Sequence, residues 1–349
     1  MREVSGRTDD EAVAGLAETL DAAYGLQAAE IVRIRAGTAT INYRVTDQAR
    51  SEWFAKVYRD RAGLRREYDA VELAEFARAG RVPVPRVQRT RNGRLVADAA
   101  PLALSLWQYV DNAETAESGL TGDRWQAVGA VLGRLHRHLA GHPSAAPTTR
   151  AATGSRDIDR ARARFDRLID EYSRRIALDE FEAWVLDASR HRRALLDRAA
   201  VILSDLPDLT VQIVHGDLAS PNLLLRADQV AAVIDFQPPT PRYVSWEIAR
   251  IGCDPRTVLL GDEWISGLPE LLAAYQDEHP AARVDDLIST VAIGCAYTLT
   301  STYPLSEPLD NPSAVDPALR AYARARHEAA LVLMDRLNEV QPLLHDHFS

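Results

Sequence analysis

A chain of 349 residues, 46% hydrophobic and 26% charged, has the composition of an ordinary globular protein and exceeds the length at which a single core stops growing, so two lobes are expected. Its net charge of −9 argues against a nucleic-acid protein, whose affinity comes mostly from cations facing phosphates. Two cysteines, Cys253 and Cys295, are too few for a disulfide framework and have no CxxC spacing; residues 1–16 lack a basic and apolar leader; and no apolar run reaches the ~18 residues of a membrane span. A reduced cytoplasm, with no membrane partner, is the expectation.

The charge is uneven. Residues 1–110 hold 17 Arg or Lys and 15 Asp or Glu, a net of +2, and the rest hold 24 and 35, a net of −11. A first lobe that handles an anion fits this division, and the acid beyond it is most simply read as solubility.

In chain order, residues 9–24 predict an amphipathic helix, followed by strand-like runs at Ile31 to Ile34, Thr40 to Val45 and Trp53 to Tyr58. A helix from Leu64 to Ala79 is stopped by Gly80, Pro83 and Pro85. Two more strands are expected at Arg94 to Ala97 and Leu102 to Tyr109. Beyond residue 110 the pattern turns helical: Val128, Val131, Leu132, Leu135 and Leu139 recur at the spacing of one buried helix face. Residues 141–157, rich in Ala, Thr, Ser and Pro, read as a loop or insertion. Phe165, Leu168, Ile169, Tyr172 and Ile176 mark a further stripe, and Phe181 to Leu203 another helical stretch. Then comes a β element: Val211 to Val214, a polar loop, Leu223 to Leu225, a turn, and Val230 to Phe236.

Against 40 arginines the chain has one lysine, Lys56, in the strand Trp53-Phe54-Ala55-Lys56-Val57-Tyr58. A coding bias has written Arg wherever a generic cation serves, so the surviving Lys marks a place for a compact ammonium. On the following helix Glu67 shares a face with Ala70, Val71 and Ala74 and is a partner for Lys56, with Glu72 and Glu75 as competing choices. Gly37, Thr38 and Asn42 lie in the segment between two strands, where a turn can cover phosphates with backbone N–H groups.

The strongest signal is His215-Gly216-Asp217-Leu218-Ala219-Ser220-Pro221-Asn222, with Asp235 ending the next apolar strand. Two carboxylates and a carboxamide converge here, and hard oxygens are what Mg²⁺ takes beside phosphate. Asp217 is placed to accept a hydroxyl proton while Asn222 and Asp235 hold metal. His-x-Asp, four residues, Asn, then a strand ending in Asp-Phe is the catalytic-loop and metal-loop pattern of protein kinases in order and spacing.

With Gly37 to Val45, Ala55-Lys56-Val57-Tyr58, Arg66-Glu67 leading into Val82-Pro83-Val84-Pro85, Leu132-Gly133-Arg134-Leu135-His136, and the two blocks at 214–222 and 233–236, the chain resembles the aminoglycoside phosphotransferase and choline kinase superfamily. The resemblance implies an α+β, protein-kinase-like two-lobed fold: a nucleotide-binding lobe over residues 1–110, with a small antiparallel sheet and one helix, and a larger, mostly helical catalytic and substrate-binding lobe over 111–349. It also implies that Asp217 is the catalytic base, Asn222 and Asp235 the Mg²⁺ ligands, Lys56 the phosphate lysine, Glu67 its ion-pair partner, and Gln108, Tyr109 and Val110 the hinge beside the base of ATP or GTP. The implied acceptor is a small hydroxylated molecule, an antibiotic or alternatively an amino alcohol such as homoserine or choline. A silent nucleotide-binding module is the reading from another class. Two departures stand out: Gln237 replaces the kinase Gly, and Glu247 in Ser245-Trp246-Glu247-Ile248-Ala249 stands where Asp is usual. No GxxxxGK[ST], GxGxxG after a strand, HExxH or GxSxG occurs, which removes the main alternatives.

Overall fold

A computed structural model describes residues 12–34, 40–98 and 102–348. It divides into two compact units: residues 1–114 with 215–217 and 224–239, and residues 115–214 with 218–223 and 240–349. The division is discontinuous, because two short stretches far along the chain return to the first unit.

In the first unit a five-stranded antiparallel sheet has the order β1-β2-β3-β5-β4, built from β1 (Ala28–Ile34), β2 (Thr40–Asp47), β3 (Glu52–Tyr58), β4 (Val87–Gln88) and β5 (Ala103–Gln108). Side chains alternate across a strand, so each face has its own cover. Tyr43, Val45, Ala55, Val57, Leu104 and Leu106 bury one face against Leu16 and Leu20 of the helix over residues 12–24 (α1). The opposite face carries Lys56, Tyr58, Ala103 and Ser105, and there Tyr58 and Ala103 pack with Val71 of α2 (Leu64–Ala79). That helix agrees with the sequence expectation to the residue. The strand expected at Arg94 to Ala97 does not form; only Ala97 bridges, to Leu104. Leu95 and Val96 are apolar because they are buried, and a buried run looks the same in sequence whether or not it pairs.

A hairpin of Leu223–Arg226 and Gln229–Val233 turns on Ala227, whose φ is +52°. It is tied within the first unit by Val233 N–H donating to Pro83 O (2.7 Å) and Arg226 Nη2 donating to Asp111 O (2.8 Å).

The second unit holds α3 (Arg124–Leu139), α4 (Ile158–Ser173), α5 (Glu180–Ala194), α6 (Leu196–Ser204), α7 (Val244–Gly252), α8 (Pro255–Val258), α9 (Glu263–Glu278), α10 (Val284–Ile288), α11 (Thr290–Thr300), α12 (Glu307–Asp310) and α13 (Pro317–Phe348). All five periodic residues of α3 are buried. The α4 stripe is buried at Phe165, Leu168 and Tyr172, but the helix ends at Ser173 and Ile176 is fully exposed. The stretch read as one helix from Phe181 is two, α5 opening on a capping box between Asp179 and Glu182. Residues 141–157, expected as a loop, supply the edge strand Thr148–Ala151, which pairs with Asp208–Ile213; Pro241–Tyr243 pairs on the other side. A strand of Thr, Arg and Ala has no apolar period to announce it, because its partner, sixty residues on, makes it a strand.

Small residues bring α3 and α9 together. A Cβ on Gly129 would lie 2.0 Å from Leu271 O, and one on Gly133 2.3 Å from Tyr275 O. Gly129→Ala is therefore expected to force the helices apart and cost about 1–3 kcal/mol or more, lowering Tm by several degrees in thermal unfolding. An unchanged Tm would mean that the contact yields freely.

Two half-buried histidines give the fold a pH dependence. Burial, with the charges of His136 and Arg137, pulls His279 down to about 4, and burial, with Arg192 and His191, does the same to His327. Both then hold fewer protons folded than unfolded between their ordinary value near ~6.5 and about 4. Stability is therefore full above that window and is lost as pH falls through it. Denaturant titrations at pH 7 and pH 4.5 should show the drop, and a double His279→Gln, His327→Gln variant should show a smaller one.

Among the described residues no helix is long and apolar enough to cross a membrane.

Candidate active site

Lys56 sits in the middle of β3, opposite Asn42 of β2 and Ser105 of β5. The register puts these three on the face covered by α2. Lys56 Nζ lies 2.6 Å from Asp235 Oδ1 and 4.0 Å from Glu67 Oε2, all within the first unit. Of the competing acids, Glu75 is engaged with Arg78 (2.8 Å) and Glu72 is exposed. The negative field is felt nearby: burial first, then the charges of Glu67 and Asp235, push the Tyr58 phenol well above its ordinary value. Asn42 is buried, and its Oδ1 accepts from Thr40 Oγ1 (3.0 Å). Gly37 and Thr38 fall outside the described residues. Beyond β5, Gln108 N–H donates to Arg86 O (2.8 Å) and Tyr109 N–H to Glu52 O (3.2 Å), while Arg44 stacks 4.9 Å over the Tyr109 ring. Gln108, Tyr109 and Val110 thus leave the sheet on a backbone fastened to both neighbouring segments.

Asp217 and Asp235 emerge from two turns that are stapled together. His215 is fully buried; its Nε2 donates to Ile234 O (2.8 Å) and its Nδ1 accepts from Asp217 N–H (3.2 Å), which fixes one tautomer. His215 O accepts from Gln237 N–H (3.0 Å), and the imidazole lies 4.2 Å from the Phe236 ring. Between them Gly216 has φ +90°, and any Cβ there would meet the Gln237 side chain at 2.9 Å. Asp235 itself has φ +64°, a conformation that costs a non-glycine residue energy and is retained only where its surroundings impose it. That strained carboxylate is the one in contact with the chain's only lysine.

Asn222 lies in the second unit, closing the 3₁₀ turn Ser220–Asn222 with its N–H on Ala219 O (2.8 Å). That loop is braced by Arg250 and Asp254, which the sequence did not single out. Arg250 Nε donates to Leu218 O (2.8 Å). Asp254 is buried, pushed above the ordinary carboxylate range by burial against the hydrogen bond it takes from Ser220. Glu247, the departure from the usual Asp, is fully buried and lies 3.0 Å from His136 Nε2, whose Nδ1 is 3.0 Å from Tyr275 Oη. The longer side chain spans from α7 to α3, so it serves as a brace among α3, α7 and α9. Both Arg250 and Glu247 lie on α7, and a sequence gives no sign of partners that stand 32 and 111 residues away.

The donor chemistry fits a hard divalent cation. Asp235 offers a carboxylate whose side chain is 43% exposed, and Asn222 a half-buried amide oxygen. Asp235 belongs to the first unit and Asn222 to the second, and a hard oxygen donor of either kind is what Mg²⁺ takes beside phosphate and water.

A model of the phosphotransferase enzyme family matches residues 30–284. Among curated proteins none matches the sequence. Among solved structures, a spectinomycin phosphotransferase in complex with ADP and spectinomycin superposes with a TM-score of 0.62 at 14% identity, covering 91% of this chain and 97% of that one. An amicoumacin kinase in complex with AMP-PNP and Ca²⁺ gives 0.59 at 16% identity (95% and 96%), and a type I macrolide 2′-phosphotransferase 0.54 at 17% (91% and 96%). At these identities the likeness is one of fold, the mixed α+β fold of kinase-like phosphotransferases.

Proposed function

This chain belongs to the phosphotransferase enzyme family and is a small-molecule kinase; from that premise we propose that it moves the γ-phosphoryl group of ATP to a hydroxyl of an antibiotic-like acceptor. The observation that carries the reading is the contact of Lys56 with Asp235, on a strained backbone, beside the turn that presents Asp217. The residues divide the labour. Lys56, oriented by Glu67, holds the α- and β-phosphates, and Gln108 to Val110, with Asn42, Gly37 and Thr38, hold the rest of the nucleotide. Asn222 and Asp235 would hold Mg²⁺, whose chemistry is to neutralise charge on the phosphates. Asp217 aligns the acceptor hydroxyl and takes its proton as that oxygen bonds to the γ-phosphorus and the bond to the bridging oxygen breaks, leaving ADP. Residues 1–110 supply the nucleotide site and 111–349 the acceptor site. Both cysteines are unpaired and buried, in keeping with a cytoplasmic setting. ATP rather than GTP is favoured by the adenine nucleotides bound in the superposed structures, and an antibiotic acceptor by their substrates.

The test is incubation with γ-labelled ATP, Mg²⁺ and a panel of antibiotics, sugars and amino alcohols, with label expected on an acceptor hydroxyl. Tight ATP binding with no acceptor ever labelled would make the chain a silent nucleotide-binding module. Asn222→Ala and Asp235→Ala are expected to raise the Mg²⁺ concentration giving half-maximal turnover by roughly tenfold or more, as losses around a metal do. A superimposable Mg²⁺ titration would remove either residue from that role.

A further inference from the structure

The part of the chain after residue 110 carries a net charge of −11, yet two of its hollows are lined by cations. One, of about 520 Å³, has Arg150, Arg156 and Arg242 in its wall, with Tyr243 and Trp246 and no acid. The other, of about 390 Å³, has Arg156, Arg164 and Arg167, with Asp310 the one acid, already paired with Arg167 at 2.8 Å. Acids outnumber bases in this region by 35 to 24, so five arginines facing one carboxylate reverses the background.

Arg156, common to both hollows, is backed by further buried cations. Its Nε donates to Thr300 Oγ1 (2.8 Å) and its guanidinium lies 5.1 Å over the Tyr297 ring; Arg326 lies 5.1 Å over the same ring. Arg326 is only 6% exposed, and its Nε and Nη2 have no hydrogen-bond partner among the described residues. Arg192, fully buried, donates to Leu299 O (3.1 Å) and Ser301 O (2.7 Å) at the end of α11, and its Nη1 is without a partner. None of these three makes an ion pair with a carboxylate among the described residues. Burying cations without counter-charge is costly, and a native fold keeps such a cluster when something negative completes it. Burial and then the charges of Arg326 and Arg156 pull Arg192 down to about 9, and burial, Arg326 and Arg164 lower Arg156, whereas Tyr297 and Tyr322 hold Arg326 above its ordinary value against its burial. Burial alone would raise the Tyr297 phenol, but Arg326, Arg250 and Arg156 together hold it below its ordinary value.

The cluster is wired to the loop that follows Asp217. Arg250, whose Nε holds Leu218 O, places Nη1 3.1 Å from the Tyr297 hydroxyl, and Tyr297 is the ring on which Arg156 and Arg326 lie. We propose that the arginine cluster around Arg156 and Tyr297 is the anchor of an anionic group, a carboxylate or a phosphate ester, on the acceptor, so that the substrates of this kinase are hydroxylated anions rather than polycationic aminoglycosides. The inference rests on the kinase reading above for its link to the reaction, but the anion site is testable without turnover. Arg156, half-buried between the two hollows with its planar fork of donors, reads the anion, and Arg326 holds the potential behind it.

The experiment is titration calorimetry with inorganic phosphate and with acetate, the nucleotide site being saturated with AMP-PNP so that phosphate cannot enter there. The unaltered chain should bind at least one of the two anions, phosphate preferentially if the acceptor carries a phosphate ester and acetate if it carries a carboxylate. Arg156→Gln should weaken that binding by roughly 10- to 100-fold, the range for hydrogen bonds to a charged group, and Arg156→Lys should restore part of it. AMP-PNP affinity and the circular dichroism spectrum should not change in either variant. Absence of anion binding in the unaltered chain, or binding indifferent to Arg156→Gln, would overturn the anion site whatever the chain phosphorylates. Labelling of aminoglycosides alone, with a KM unmoved by Arg156→Gln, would overturn it as well. Anion binding that depends on Arg156 in a protein that labels no acceptor would leave the site standing and sink the kinase reading instead.

Discussion

Asp217→Ala is expected to lower kcat by roughly 10²- to 10⁴-fold, the range for a positioned acid–base group, while ATP affinity stays close to that of the unaltered chain. The separation follows from where Asp217 stands. Its backbone N–H is held by the buried His215, which is held in turn by Ile234 O, so the turn keeps its shape when the carboxylate is removed. The side chain is half-buried rather than packed into a core, so its loss opens no apolar cavity. A stable, nucleotide-binding and nearly inert variant is the signature of a group that acts on the acceptor alone. Near-normal turnover would take the proton-accepting role from Asp217.

Lys56→Met should be comparably damaging in a different way. The side chain is similar in length and the strand remains buried on its other face by Ala55 and Val57, so the fold is expected to hold. What is lost is the ammonium that meets Asp235 and Glu67. Two carboxylates would then be left without the cation they share, and the phosphates would lose the positive partner proposed for them. Removing a preorganised partner of developing charge costs roughly 10²- to 10³-fold in rate, and here nucleotide binding should weaken as well. Lys56→Arg is not a conservative rescue, because a planar guanidinium does not fit the place of a compact ammonium; in a chain that otherwise uses only arginine, that variant asks why one lysine was kept. Full activity in Lys56→Arg would make the lysine an accident of composition.

Much of the candidate site was legible in the residues because it resides in identities and short spacings. Lys56, Glu67, Asp217 and Asp235 are conspicuous where they stand, and the periods of β3 and α2 place Lys56 and Glu67 on their elements without help from distant contacts. What the sequence concealed depends on partners far along the chain. Residues 95–97 are apolar and buried, yet only Ala97 bridges among the described residues. Thr148–Ala151 is polar and exposed, yet it is a strand because Asp208–Ile213 offers one. Glu247, which stands where Asp is usual, is a brace whose partner His136 lies 111 residues away. The arginine cluster is the clearest case. In a chain with 40 arginines no single one is informative, and only folding distinguishes those that face solvent from the few that are buried without a counter-charge.

If Lys56 and Asp235 hold a nucleotide tail and a divalent ion together, calorimetric titration of ATP with and without Mg²⁺ will register it. The unaltered chain should bind ATP more tightly when Mg²⁺ is present. Asp235→Asn, which keeps the shape and removes the charge, should lose most of that enhancement while still binding metal-free ATP. Equal enhancement by Mg²⁺ in both proteins would contradict the account, because the metal would then be bound without the carboxylate on which the site is built.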